Sequence, residues 1–230
     1  MVSQRPPPRE APEAADTVVD PFESPWPGAG TGGSTALEFA NTLDWRRREP
    51  PEEKLLAFPD LLRWARTAGV LKRAEARSLR AWGEAHPRAA AKALARAIEV
   101  REAIAAVLLA LSCGEAPPPG PLARLDAAYR AASAARTLRR TGGAVAWTWR
   151  GSTPAPDRPA WAAALDAARI VTSDERERVR QCCDDECGWL FLDTSRNHSR
   201  RWCSMETCGN RNKVRTFYRR AKKHTHRTKC

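Results

Sequence analysis

Four cysteines in the last quarter of the chain stand in two matched pairs. Cys182 and Cys187 form one C-x4-C pair, Cys203 and Cys208 form a second, and fifteen residues lie between them. Zinc takes four soft ligands at the corners of a tetrahedron, and two short pairs joined by a loop can supply them. A disulfide or a reactive thiol pair are the other chemistries open to these residues. The seven cysteines are an odd number, and the N-terminal stretch MVSQRPPPREAPEAADTVVDPFESPWPGAGTGG has no apolar signal region. A reducing, cytoplasmic compartment is therefore expected, and there clustered cysteines favour metal. A thioredoxin-like motif needs C-x2-C, which is absent. Cys183 adjoins Cys182 and could lead the first pair, although equal spacing favours Cys182. Cys113 reads as core filler; Cys230, His224 and His226 read as tail residues without a role.

The elements that must position these thiols are short. GWLFLD, between the pairs, reads as an apolar strand with RWC returning beside it, and Ser204 is placed to cap a helix through METCGNRNKVRTFYRRAKK. Cys208 then sits in the first turns of that helix, near the positive end of its dipole. Gly209 lets the backbone pass close to the metal. This order predicts a small α+β, treble-clef-like zinc finger. A segment of this size has too few large apolar residues to fold by burial alone, and metal binding supplies the missing free energy.

Charge gathers at the same end. The chain carries a net +12, and from Arg196 to Cys230 twelve Lys or Arg face one acid, Glu206, so +11 of the +12 lies in these last 35 residues. Such an excess points to a polyanionic partner, double-stranded DNA in the first instance. On a helix starting near Ser204, Arg211, Arg215, Arg219 and Lys222 share one stripe, while Val214, Phe217 and Ala221 fall on other faces and can pack on the hairpin. Arg200 and Arg201 arrive from the preceding loop. These six cations are the candidate phosphate contacts. Asn210 reads as support for the knuckle; Arg211 could serve either purpose.

The rest of the chain is close to neutral and mostly helical. Residues 1–33 have the composition of a disordered tail. Helices are expected over STALEFANTLDW, over FPDLLRWARTAG with Pro59 in its first turn, over LKRAEARSLRAWGE, from about Pro87 to Ser112, over LARLDAAYRAA, and over DRPAWAAALDAARIVTS. TLRRTGGAVAWTWRG reads as a β-hairpin around Gly142-Gly143 with Val145, Trp147 and Trp149 on one face. The expected layout is a tail (1–33), a mostly α domain with one small hairpin (34–173), a zinc finger (174–222) and a basic tail (223–230). The longest apolar run, AIAAVLLAL, is too short to span a bilayer. Trp45, Trp64, Trp82, Trp147, Trp149 and Trp161 read mainly as core. The candidate polar contacts for a small-molecule ligand between the helices are Asn41 and Arg101, because each lies on or beside an apolar face.

The stretch CxxxxC-GWLFLDTSRNHSRRWCSMETCGNR-K resembles the CGNR zinc finger over about 40 residues, including F-x-D-x-S-R-N and R-R-W-C-S-M. The resemblance implies one zinc on Cys182, Cys187, Cys203 and Cys208, and a role among bacterial transcription regulators. LEFANTLDWR and the helix around IEVREAIAAVLLAL are similar to the ABATE domain that precedes this finger. Its usual L-D-F-x-N-T stands here as Leu37, Glu38, Phe39, Asn41 and Thr42, with Glu in place of Asp. That resemblance implies a sensory, ligand-binding domain.

Two functions compete. One is a DNA-binding transcription regulator with a helical sensor and a zinc-stabilised basic module. The other is a zinc module for protein or ribosomal RNA contact. An enzyme is not expected, because four thiolates close the shell that a catalytic zinc keeps open.

Overall fold

The computed structural model describes residues 33–151 and 154–227, with side chains up to Tyr218 in the last helix. The expected N-terminal tail, bar Gly33, lies outside the described residues, as do residues 228–230.

Helix α1 (Thr35–Ala40) starts at Ser34, whose hydroxyl accepts the Leu37 N–H at 3.3 Å and donates to Asp166 Oδ2 at 2.7 Å. Two short strands follow, β1 (Leu43–Asp44) and β2 (Glu52–Glu53), paired antiparallel. Next come α2 (Phe58–Thr67), with Pro59 in its first turn, α3 (Arg73–Ala85) and the central α4 (Pro87–Ser112). The chain continues through α5 (Pro119–Ala134), the ribbon β3 (Arg136–Thr141) and β4 (Ala144–Trp149), and α6 (Arg158–Val171). The last part holds a 3-10 turn (Asp174–Arg178), β5 (Val179–Gln181), β6 (Leu190–Leu192), one π-type turn (Met205–Gly209) and α7 (Asn210–Arg227). Helix α7 therefore carries the backbone past residue 222, into the segment expected as a basic tail.

Helix α4 runs through the middle, packed by α1, α2, α3, α5 and α6. Its buried stripe is rich in small residues, Ala90, Ala93, Ala97 and Ala105, with Ile104, Val107 and Leu108 towards its C-terminal end. Helix α6 answers with Ala160, Ala163, Ala164 and Ala167, all buried. Small side chains on facing helices allow close axial approach, and close packing supplies much of the dispersion gain. Leu94 and Ile98, each next to a buried alanine of this stripe, are half-buried. A purely size-based reading overlooks alanine as a core residue.

The apolar core does not stop at residue 173. β5 and β6 pair antiparallel with Val179 opposite Leu192 and Gln181 opposite Leu190. Side chains alternate across a strand, so Val179, Leu190 and Leu192 join the same buried cluster as α4 and α6. Phe191, between two of them, turns to the opposite side and joins the four cysteines. Burying three aliphatic side chains of this size contributes about 1.5–3 kcal/mol each. The β5–β6 hairpin is thus at once the outer wall of the helical body and the inner wall of the cysteine cluster.

Candidate metal centre and its junction with the helical body

Cys182, Cys187, Cys203 and Cys208 are all buried, and their Sγ atoms all lie within 4.8 Å of one another. Cys203 Sγ is 3.7 Å from Cys187 Sγ and 3.6 Å from Cys208 Sγ. A tetrahedron with zinc–sulfur distances of about 2.3 Å has edges of about 3.8 Å, so the thiols are already at metal-binding spacing. Cys183 points outward and is exposed, which leaves Cys182 as the member of the first pair in the cluster.

The electrostatics of the thiols alone are self-limiting. Hydrogen bonds from Cys187, then from Cys203, drive the Cys182 thiol far below its ordinary range. Cys187 and Cys203 are pushed up, each chiefly through its hydrogen bond to Cys182. Cys208 is also raised, by burial and then by the Cys182 charge. Ionisation of one thiol opposes that of the others, because the four Sγ atoms all lie within 4.8 Å of one another. A divalent cation removes that repulsion and lets all four ionise. Backbone N–H groups support the charge: Cys203 N–H points at Cys182 Sγ at 3.5 Å, and the N–H groups of Asp184 and Trp189 lower Cys182 and Cys187 respectively. The donor set, its burial and its spacing fit one structural zinc ion.

Around the thiols, side chains tie the two knuckles to each other. Asp184, fully buried, accepts the Glu186 N–H at 3.1 Å, Arg211 at 3.2 Å and Asn212 Nδ2 at 2.8 Å. Asn212 Nδ2 also donates to the Cys208 carbonyl at 3.0 Å. Asp193 closes the loop between the pairs: it accepts the Ser195 hydroxyl at 2.5 Å, the Ser195 N–H at 2.9 Å and the Arg200 N–H at 2.9 Å. Burial alone would raise its carboxyl, yet these donors hold it below the usual carboxylate range. Ser204 caps the last helix segment, accepting the Thr207 N–H at 3.3 Å.

Of the six candidate cations, Arg200, Arg211 and Arg215 are engaged within the protein. Arg200 donates to the carbonyls of Trp202 and Cys203 and lies over the Phe191 ring at 4.7 Å. Arg211 is bonded to Asp184 and lies 4.5 Å from the Trp45 ring centroid. Arg215 pairs with Glu186 at 2.9 Å, with Asp184 and Asp185 within 4 Å. The stripe through Arg211 and Arg215 therefore faces the acids of the first knuckle. In consequence Val214 and Phe217, expected to pack on the hairpin, are 54% and 69% exposed, beside Tyr218 at 67%. Charge pairing with Asp184-Asp185-Glu186 sets the helix rotation, and a wheel drawn from the helix alone does not contain those acids. Arg201 is exposed, over the Trp202 ring at 5.3 Å. Arg219 and Lys222 lie on the α7 backbone, with their side chains outside the described residues. Asn210 Nδ2 donates to the Glu206 carbonyl at 3.1 Å within the helix start.

Asn41 and Arg101, expected to meet a ligand, are both buried and bonded within the protein. Asn41 Nδ2 donates to the Leu190 carbonyl at 2.9 Å, and Leu190 N–H donates to Asn41 Oδ1 at 3.0 Å. Arg101, 2% exposed, grips both oxygens of Glu53 at 2.6 Å, reaches Glu102 at 2.8 Å and meets the Thr42 hydroxyl at 3.3 Å. Neither lines the open groove of 880 Å3 between α5, α6 and the foot of the β3–β4 ribbon. Among the expected tryptophans, Trp147 and Trp149 do line it, Trp161 stacks on Trp149, and Trp64 is the buried one in the core.

The sequence reading missed how tightly residues 41–48 hold the first knuckle. Arg46 and Arg47 N–H groups donate to the carbonyls of Cys187 and Glu186 at 3.0 and 3.3 Å. Trp189 Nε1 donates to Asp44 at 2.7 Å, Arg47 reaches Gln181 and the Asp184 carbonyl, and Arg48 pairs with Glu186. Arg48 also lies 3.6 Å from the Trp45 ring, so that ring meets both Arg48 and Arg211. Gly188 has φ +72, and a Cβ there would meet Arg46 Cβ at 3.0 Å and Arg47 Cγ at 3.2 Å. Only glycine permits both that backbone and that approach. The three consecutive arginines after Trp45 were the available signal: three adjacent cations in a near-neutral body need acids or carbonyls elsewhere.

Comparison with known families agrees with the two halves of this arrangement. Residues 178–221 match the CGNR zinc finger. Residues 33–174, more than half of the chain, match the ABATE family, described as "Putative stress-induced transcription regulator". Among curated proteins none matches the chain. No described helix is long and apolar enough to cross a membrane. The chain belongs to the ABATE family and carries, after its ABATE region, a CGNR zinc finger whose four cysteines stand at the spacing of one structural zinc.

Proposed function

We propose that this protein is a DNA-binding transcription regulator in which Cys182, Cys187, Cys203 and Cys208 ligate one zinc ion and thereby fix the start of α7. The observation that carries the reading is the excess of +11 over residues 196–230, which hold a single acid. The family description supports the regulatory half. In this reading Arg201, with Arg219 and Lys222 further along α7, meets phosphates of duplex DNA. Arg200, Arg211 and Arg215 serve the site indirectly, by holding the second knuckle and the helix in place. The test is a titration of the full zinc-loaded chain against duplex DNA at several salt concentrations. Three phosphate contacts from these residues give a log–log slope of roughly −3. A zinc-loaded chain without salt-dependent affinity for DNA overturns the reading and favours the module for protein or ribosomal RNA contact.

A second reading concerns a small-molecule ligand. The groove lined by Leu122, Leu125, Tyr129, Trp147, Trp149 and Leu165 contains Arg136, which lies 5.1 Å from the Trp147 ring and has no carboxylate partner among the described residues. An apolar anion fits an aromatic groove with one uncompensated cation. The test is a thermal-shift screen of apolar carboxylates on the wild type and Arg136→Ala. Stabilisation that persists in the variant, or none in the wild type, overturns it.

A further inference from the structure

The β3–β4 ribbon is the least buried ordered element of the helical body. From Leu138 to Ala146 both strands and the turn are exposed on both faces. The pairing is regular from Arg136 opposite Trp149 to Thr141 opposite Ala144, and it turns on Gly142 and Gly143 with φ +55 and +89. Positive φ at both central residues is the tight hairpin turn that matches strand twist. Six residues per strand span about 20 Å. An exposed ribbon of this length needs a reason.

Its charge supplies one. Between Ala135 and Pro156 there are four arginines, Arg136, Arg139, Arg140 and Arg150, and no Asp or Glu. Arg150 is tied to the Arg136 carbonyl at the foot, and Arg136 lies against Trp147 and Trp149. The side chains of Arg139 and Arg140, next to the turn, are exposed and have no ion pair or hydrogen bond among the described residues. Successive strand residues face opposite sides. Arg140 thus joins the face of Leu138, Val145 and Trp147, while Arg139 stands on the other face among Thr137, Thr141, Ala144, Ala146 and Thr148. The tip is positive on both sides, and the face around Arg139 carries only small or hydroxyl side chains. By contrast, Arg211 and Arg215 of the finger are neutralised by Asp184, Asp185 and Glu186.

We infer that the β3–β4 ribbon is a second contact for duplex DNA, made by the ABATE region itself, with Arg139 and Arg140 as its phosphate-binding residues. The inference rests on the DNA-binding reading above and adds a surface to it. A two-stranded ribbon fits the roughly 12 Å width of the major groove. The small Arg139 face allows close approach, and the apolar face offers Val145 and Trp147 to sugars and thymine methyl groups.

The experiment is a salt titration of the full zinc-loaded chain with duplex DNA, comparing the wild type with Arg139→Ala/Arg140→Ala and with Arg139→Lys/Arg140→Lys. Loss of two phosphate contacts should shrink the log–log slope by about 2 and weaken binding roughly 10- to 100-fold at 0.1 M salt. The lysine pair should keep the slope, which a role in ribbon folding alone would not explain. The alanine pair should unfold at the wild-type temperature, since neither side chain is buried. A wild-type slope in the alanine pair overturns the ribbon contact and leaves the finger reading standing. A wild type that does not bind duplex DNA overturns both. A slope change seen with duplex RNA and not with DNA overturns the ribbon's assignment to DNA.

Discussion

Asn41 and Leu190, 149 residues apart, exchange two hydrogen bonds, at 2.9 and 3.0 Å, as if the side-chain amide were one more residue of the β6 strand. Through this pair the end of α1 is paired with the strand that also carries Phe191 into the cysteine cluster. Asn41→Leu should leave the Leu190 N–H and carbonyl buried and unpaired. That costs about 1–3 kcal/mol and lowers Tm by several degrees, measured by calorimetry of the zinc-loaded chain. An unchanged Tm would show that the pair does not hold the junction.

Zinc content should separate the neighbouring cysteines. Cys208→Ser should lose the metal and with it the order of the segment from Thr194 onward, which lies beyond the β5–β6 hairpin held by the helical core, because three thiols leave the shell open. Cys183→Ser should retain one zinc per chain, since Cys183 is exposed and outside the cluster. Metal analysis together with far-UV circular dichroism reads both. Zinc retained at full stoichiometry in Cys208→Ser would contradict the ligand set.

Arg211 and Arg201 should differ in kind. Arg211→Ala removes the partner of a buried carboxylate and a contact with Trp45, so it should destabilise the protein by about 1–3 kcal/mol with little change in salt slope. Arg201→Ala should leave stability nearly unchanged and reduce the slope by about 1. Denaturant midpoints and salt titrations of the two variants make the comparison. The reverse pattern would return Arg211 to the DNA surface.

Gly188→Ala tests the close approach of residues 46 and 47 to the first knuckle. Strain at positive φ plus contact with Arg46 Cβ should cost about 1–3 kcal/mol and loosen the junction. Hydrogen exchange should quicken at the Arg46 and Arg47 amides, which donate to this knuckle. Wild-type protection there would mean that the knuckle shifts without cost.

Acid should act on Glu102, which links Arg46 and Arg101. Burial would raise its carboxyl, but hydrogen bonds from Arg46 and the charges of Arg46 and Arg101 outweigh that and hold it below the usual carboxylate range. A depressed folded-state pKa contributes stability that is present above the unfolded value and lost as pH falls through the folded one. Stability should therefore decline below about pH 4.5, and Glu102→Gln should flatten part of that decline at a cost of about 0.5–1 kcal/mol near neutrality. Denaturant unfolding from pH 7 to pH 3 gives the slopes. Identical slopes would remove Glu102 from the account.

Much of this protein was legible along the chain because it depends on short spacings. The two C-x4-C pairs, the cap at Ser204, Pro59 in the first turn of α2 and the turn at Gly142-Gly143 are local, and a helix or knuckle closes over a few residues whatever lies elsewhere. The metal chemistry followed from ligand type and spacing alone. What only the tertiary structure decided is which face of each element is covered. Asn41 and Arg101 looked like ligand contacts because they are polar groups on apolar faces; their partners, Leu190, Glu53 and Thr42, become neighbours only on folding. Arg215 of α7 read as a phosphate contact because its counter-charges, Asp184 to Glu186, lie on the other knuckle. Helix rotation is set by such distant partners, since a buried or half-buried charge must be matched wherever the match is found. The spacing of residues along the chain fixes which groups can act together locally, and only their packing fixes which of them remain free to act on something else.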